Sequence, residues 1–141
     1  MLGTSVAMVT PAYAISETSV QSFASSMNVA ANSQNIGQVS RLIDDNAVIS
    51  LTRKGNTATL DKNSYLQLLQ KSWAGTSDYH YHISVNDVII TGNQARATII
   101  TTESWVKAGR KTTLVTHSKA TLSEVDGKVL LLRAVSQVTV A

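Results

Sequence analysis

From residue 78 to residue 140 the chain is crowded with valine, isoleucine and threonine, and three short turn signals divide it. Branching at Cβ stiffens these side chains and suits them to a pleated, half-buried surface more than to a helix. Gly92-Asn93 separates 79–91 from 94–106, Ala108-Gly109 with Arg110 ends that second run, and Asp126-Gly127 joins 112–125 to 128–140. Asp-Gly is the strongest of the three signals, because a tight hairpin needs positive φ at both central residues. The pattern predicts four long strands joined in sequence as an antiparallel meander. Strands of about a dozen residues are long for a globular domain and must twist and bend. The alternation slips at Asn86-Asp87, which predicts a bulge there.

The first half follows a different period. Ser16, Glu17 and Ser19 make a helix start, since a hydroxyl caps orphan amides and an acid suits the positive end. Val20, Phe23, Ala24, Met27 and Ala31 then recur at helical spacing, and 32–35 is a polar break. A short second helix with Val39, Leu42 and Ile43 facing inward ends at Asp44-Asp45-Asn46. Residues 47–52 read as a strand, Gly55-Asn56 as a turn and 57–60 as a short return strand. Asp61 caps a third helix over 62–73, with Tyr65, Leu68, Leu69 and Trp73 on its buried face and Gly75-Thr76 as its stop. The class is α+β, with two to three helices packed on a strongly bent antiparallel sheet of five to six strands.

At 141 residues this is a one-domain chain, long enough to bury a core without covalent staples. It has no cysteine, which excludes a disulfide framework and thiolate chemistry. The net charge of +3 is scattered, and only Lys107, Arg110 and Lys111 cluster, at a hairpin tip that reads as a solvated turn. Nucleic-acid binding needs a denser basic stripe with interleaved aromatics. The opening is apolar and ends in Ala12-Tyr13-Ala14, a small-x-small pattern before a signal-peptidase cut. It is too short to span a membrane. The expectation is a signal-peptide remnant or a disordered leader over 1–14, a single domain over 15–141, and a periplasmic or secreted protein, with a cytoplasmic one as the alternative.

Two segments carry a resemblance. Leu42-Ile43-Asp44-Asp45-Asn46-Ala47-Val48-Ile49 passes from an apolar helix end through acids into a strand, and Gly127-Lys128-Val129-Leu130-Leu131-Leu132-Arg133 enters a final hairpin strand. With the order of elements, they make residues 16–141 resemble the nuclear transport factor 2-like and ketosteroid isomerase-like (SnoaL-like) superfamily of cystatin-like cone folds. The resemblance implies a bent sheet wrapped around a helix, an open apolar pocket for a small ligand, and a homodimer through the sheet. It implies no cofactor. Isomerase-like members place a tyrosine on the inner face of the first helix and a carboxylate on the first strand. Here those places offer Phe23 and Met27, then Ser50 and Thr52.

The stretch Tyr79-His80-Tyr81-His82 puts both histidines on one strand face and both tyrosines on the other. If Thr91 opposes Gln94 across a two-residue turn, His82 opposes Glu103 and His80 opposes Trp105. A carboxylate beside an imidazole orients the ring and stabilises its cation, which suits acid/base work. His82 and Glu103 are therefore the candidate catalytic pair. Phe23, Met27, Tyr65, Trp73, His80 and Trp105 are the candidate pocket lining. The alternative is a solvent-facing cross-strand pair, with Tyr79, Tyr81 and Ile83 packing inward instead, and a bulge near Asn86 would also alter this register and dissolve the pairing. His80 and His82 with His117 or Glu103 would also suit zinc, but the spacing is not a metal pattern and no metal site is assigned. Asp44 and Asp45 read as turn formers. The favoured function is an exported small-molecule-binding or assembly module. The alternative is a small acid/base enzyme of lyase, isomerase or hydrolase type built on His82 and Glu103.

Overall fold

Helix α1 (Glu17–Asn32) begins where its cap chemistry puts it, in a computed structural model that describes residues 14–141. The Ser16 side chain accepts from the Ser19 amide, and the Ser19 hydroxyl oxygen accepts from the Ser16 backbone N–H. This reciprocal box satisfies two otherwise orphaned donors. The leader proposed over 1–14 lies outside the described residues, except for Ala14. Val20, Phe23, Ala24, Met27 and Ala31 form the buried stripe of α1 together with Ala30.

Helix α2 (Ile36–Ser40) is capped by Asn35, which accepts from the Gln38 amide. It is shorter than the apolar spacing suggests. Ile43 already opens strand β1 (Ile43–Arg53), and Asp44 to Asn46 lie inside that strand. The Asp44 carboxylate accepts from the Asn46 amide, so the local turn chemistry is present as a kink within a strand. The following turn is Lys54-Gly55, with φ of 53° and 80°, before strand β2 (Asn56–Asp61). Asp61 caps helix α3 (Lys62–Trp73) by accepting from the Ser64 amide, which lowers the pKa of its carboxyl. Strands β3 (Ser77–Thr91), β4 (Gln94–Lys107), β5 (Arg110–Val125) and β6 (Lys128–Val140) follow as a meander.

The six strands form one curled, unclosed sheet in the order β2-β1-β6-β5-β4-β3. Every pairing is antiparallel except β1 with β6, which is parallel. The sheet is thus mixed, a correction to the all-antiparallel expectation. Hairpin turns join strands locally, but the β1–β6 pair connects opposite ends of the chain and has no local signal. Helix α1 packs on β3 and β6, and α3 packs on β1. Val20, Val39, Ile43, Ile49 and Leu122 are the largest fully buried side chains. No helix among the described residues is long and apolar enough to cross a membrane.

The bulge falls at the expected place. Asn86 faces Thr98 and Ile89 faces Arg96, so Asp87 and Val88 together oppose Ala97. Asp87 takes φ of 55°, in the left-handed region. A second bulge at Asp78, with φ of 52°, sets Asp78 and Tyr79 against Trp105.

Candidate functional site

One extra residue on β3 reverses which side chains that strand turns inward. Beyond the bulge, Tyr81 rather than His82 pairs with Glu103, His82 pairs with Thr102, and His80 pairs with Ser104. The proposed His82–Glu103 dyad is therefore not formed. His80, His82 and His117 are all exposed and none lines the interior. His80 also drops out of the candidate pocket. The physical reason is that strand side chains alternate strictly, so a slip of one residue moves a whole set to the other face. The same division separates the histidines from Glu103 as joint metal ligands. Among the described residues no group of three His, Cys, Asp or Glu could hold a metal.

The sheet and helices frame an open cavity of about 640 Å³. Of the candidate lining residues, Phe23 and Met27 reach it from α1, Tyr65 and Trp73 from α3, and Trp105 from β4, and Leu69 reaches it beside them. Tyr79, Tyr81, Ile83 and Glu103 join them. The strand registers arrange the sheet wall in tiers. Tyr81, Glu103 and Leu114 share one tier, then Ile83, Thr101, Thr116 and Val138, then Ile99, Ser118 and Ser136. Ala120 and Ala134 form a tier of small side chains. On β1 the inward residues are Ile49, Leu51 and Arg53, whereas Ser50 and Thr52 do not line the cavity. The carboxylate of this cavity comes from β4.

Glu103 is the polar centre. Its Oε1 accepts from the Tyr79 hydroxyl at 2.6 Å. Burial raises the Glu103 pKa, and the Tyr79 hydrogen bond partly opposes that rise. Burial also raises the pKa of Tyr65, Tyr79 and Tyr81, and the nearby Glu103 charge raises each further. All three tyrosines are therefore neutral donors at ordinary pH. The Tyr79 ring stacks on Trp105 with centroids 6.5 Å apart and meets Trp73 edge-on at 6.1 Å. The Trp73 indole N–H is buried and has no hydrogen-bond partner.

Asn32, read from sequence as part of a polar break, has a structural role in this site. Its side-chain oxygen accepts from the Tyr81 amide at 2.8 Å, and its Nδ2 donates to the Tyr81 carbonyl at 2.7 Å. The last turn of α1 thereby mimics a neighbouring strand and pins Tyr81 inward. A lone asparagine at a helix end carries no signal of that partnership. Asp45, expected as a turn former, meets Lys62 at 2.9 Å on the surface, away from the cavity.

No family model matches the sequence, and no curated protein matches it. Solved structures do match. A conserved protein from Planctomyces limnophilus DSM 3776 superposes with a TM-score of 0.73 at 15% identity, covering 89% of this chain and 97% of the other. A putative scytalone dehydratase from Novosphingobium aromaticivorans DSM 12444 gives 0.73 at 13% identity, covering 86% and 83%. An NTF-2-like protein of unknown function from Silicibacter pomeroyi DSS-3 gives 0.62 at 11% identity, covering 86% and 94%. The chain has the α+β cone fold of the nuclear transport factor 2-like superfamily. That fold hosts enzymes and proteins of unassigned activity alike, so activity must be argued from the site.

Proposed function

We propose that the cone is a binding cavity for a small, largely apolar molecule that turns one polar group toward Glu103 and Tyr79. The observation that carries this reading is the half-buried Glu103–Tyr79 carboxylate–phenol pair set in an apolar and aromatic cavity of about 640 Å³. Pockets for small molecules have this size and this composition, apolar walls with a few placed polar groups. Both tryptophans of the chain, Trp73 and Trp105, line the cavity, so intrinsic fluorescence reports on its occupancy. Titration with the neutral apolar dye N-phenyl-1-naphthylamine should give saturable energy transfer from tryptophan. Filling the cavity through Thr116→Trp should reduce that binding at least tenfold while the domain stays folded. Saturable binding of equal strength to the filled variant would count against the reading.

A second reading is favoured by the raised pKa of Glu103. A carboxyl whose proton affinity is raised by burial, set beside a phenol, is equipped to exchange a proton with a bound substrate. On this reading the enzyme alternative survives with Glu103 and Tyr79 in place of His82 and Glu103. The module reading stands first because the pair needs a ligand before it has anything to act on.

Export and self-association belong to the same proposal. Ile15 is 4% exposed and Ser16 is the α1 cap, so a cut after Ala14 would leave the folded domain whole. The convex sheet face carries Thr98, Ile100, Thr102, Val115 and Val135, a partly apolar surface suited to a second copy of the chain.

A further inference from the structure

The cavity's carboxylate has a hydrogen-bond donor and no cation. Among the described residues the ion pair is Lys62–Asp45, on the surface. A buried carboxylate without a counter-charge is costly, and one phenol donor does not balance it. The chain has one phenylalanine, two tryptophans and four tyrosines. All but Tyr13, which lies outside the described residues, line this cavity. Burial keeps Tyr65, Tyr79 and Tyr81 neutral, so their rings add no negative charge of their own, but aromatic faces carry negative potential that attracts cations.

Resting on the reading that the cavity binds a ligand, we propose that its occupant is an organic cation. It is a hydrophobic amine or quaternary ammonium whose charged head sits between Glu103 and the rings of Tyr65, Tyr79, Tyr81, Trp73 and Trp105. The Tyr79–Trp105 stack fixes two of these rings, and the Tyr79 hydroxyl fixes Glu103 against them. The apolar body of the molecule then fills the tiers toward Ala120 and Ala134. Arg53 and Lys54 also touch the cavity, but both are exposed at the β1–β2 hairpin, where water screens their charge. A cation seated at Glu103 also reverses the effect of burial on that carboxyl, since an opposite charge favours the ionised form.

The test uses the whole protein and displacement of N-phenyl-1-naphthylamine. The competitors are (naphthalen-2-ylmethyl)trimethylammonium, its neutral carbon isostere 2-neopentylnaphthalene, and the anion 2-naphthylacetate. The ammonium should displace the dye at about tenfold lower concentration than the isostere. Glu103→Gln should still bind the dye and should lose that preference. If the isostere or the anion displaces the dye at equal or lower concentration, the cation assignment is wrong and the cavity reading stands. An anion preference would show instead that Arg53 and Lys54 select the ligand. If the dye itself does not bind, the cavity reading fails and this inference fails with it. A preference that persists unchanged in folded Glu103→Gln would also overturn the proposal, because the carboxylate would not be its source.

Discussion

On its concave face the β3–β4 pair presents Tyr79, Tyr81, Ile83, Thr101, Glu103 and Trp105 to a cavity. On its convex face the same two strands present His80, His82, Ser84, Thr102 and Ser104. The first set is largely aromatic and half-buried around one acid, and the second is polar, with His80, His82 and Thr102 exposed. Nothing in the intrinsic character of a tyrosine or a histidine assigns it to one face in so mixed a stretch. The assignment comes from a single inserted residue at Asp87, from the α1 contact of Asn32, and from the apolar content of Ile83 and Val85. The comparison teaches that chemistry in this fold depends on register, and that register depends on a bulge a few residues away from the site.

Deleting Asp87 attacks that dependence most directly. Without the extra residue, either β3 pairs with β4 in the unbulged register, burying His80 and His82 and exposing Tyr79 and Tyr81, or the Asn32–Tyr81 bonds break. The expected outcome is loss of the cooperative folding transition, followed by circular dichroism in urea. A deletion variant that still unfolds cooperatively, with tryptophan fluorescence unchanged, would show that α1 alone enforces the facing and that the bulge is dispensable. Asp87→Gly should do the reverse on a small scale, because glycine adopts positive φ without strain.

Ile99 and Ile100 sharpen the comparison, since they are adjacent on β4 and face opposite ways. Ile99 is 6% exposed and lies in the core cluster, whereas Ile100 is half-buried on the convex face between Ser84 and His117. Truncating Ile99 to alanine removes packed atoms and leaves a void, at a cost of about 2–5 kcal/mol. Ile100→Ala should cost less than about 1 kcal/mol in a monomer. The measurement is denaturant unfolding at several protein concentrations. If Ile100→Ala is as costly as Ile99→Ala, and the wild-type midpoint rises with concentration, the convex face is covered by a second copy. Equal costs without concentration dependence would mean that the two faces do not differ as described.

Much of this organisation could be read from the residues. The Ser16 and Asp61 caps, the helical stripe ending in Met27 and Ala31, the three hairpins and the site of the bulge are all local effects. Local chemistry leaves its trace in neighbouring letters. The pairing of His82 with Glu103 failed although the bulge that undoes it was foreseen, because counting back from Gly92-Asn93 gives the right register only as far as Ile89. The parallel β1–β6 pair had no trace, since its partners are far apart in the chain and no turn links them. Asn32 had none either, because its partner Tyr81 is remote and both bonds are to backbone. Leu42 and Ile43 read as the end of a helix because a short apolar pair fits either period, and Ile43 opens β1. Counting from the turn sets Glu103 opposite His82, whereas the bulged register sets it opposite Tyr81. Glu103 sits in a strand rich in threonine, and only the three-dimensional wall shows that its carboxyl is shielded from water.

The smallest expected effect separates the two ionisable sets. Glu103 has a folded pKa above its ordinary value of 4.5, with burial as the main cause. The folded state therefore holds this proton to higher pH than the unfolded state does. Its favourable contribution is fully present below pH 4.5 and is lost as pH rises through the raised folded value. Glu103→Gln keeps the shape of the side chain and removes the titration. The stability of the variant relative to wild type should rise across that window and level off above it, read by urea midpoints at successive pH values. A flat difference would mean that Glu103 is solvated in the folded protein, and the ligand argument would lose its buried acid. His82→Ala, on the other face, should change stability at neutral pH by less than about 0.5 kcal/mol and leave dye binding unaltered. A large loss of stability in His82→Ala would place that ring in the core and reverse the facing of β3, whereas a loss of dye binding alone would connect the convex face to the cavity by a route the present register does not contain.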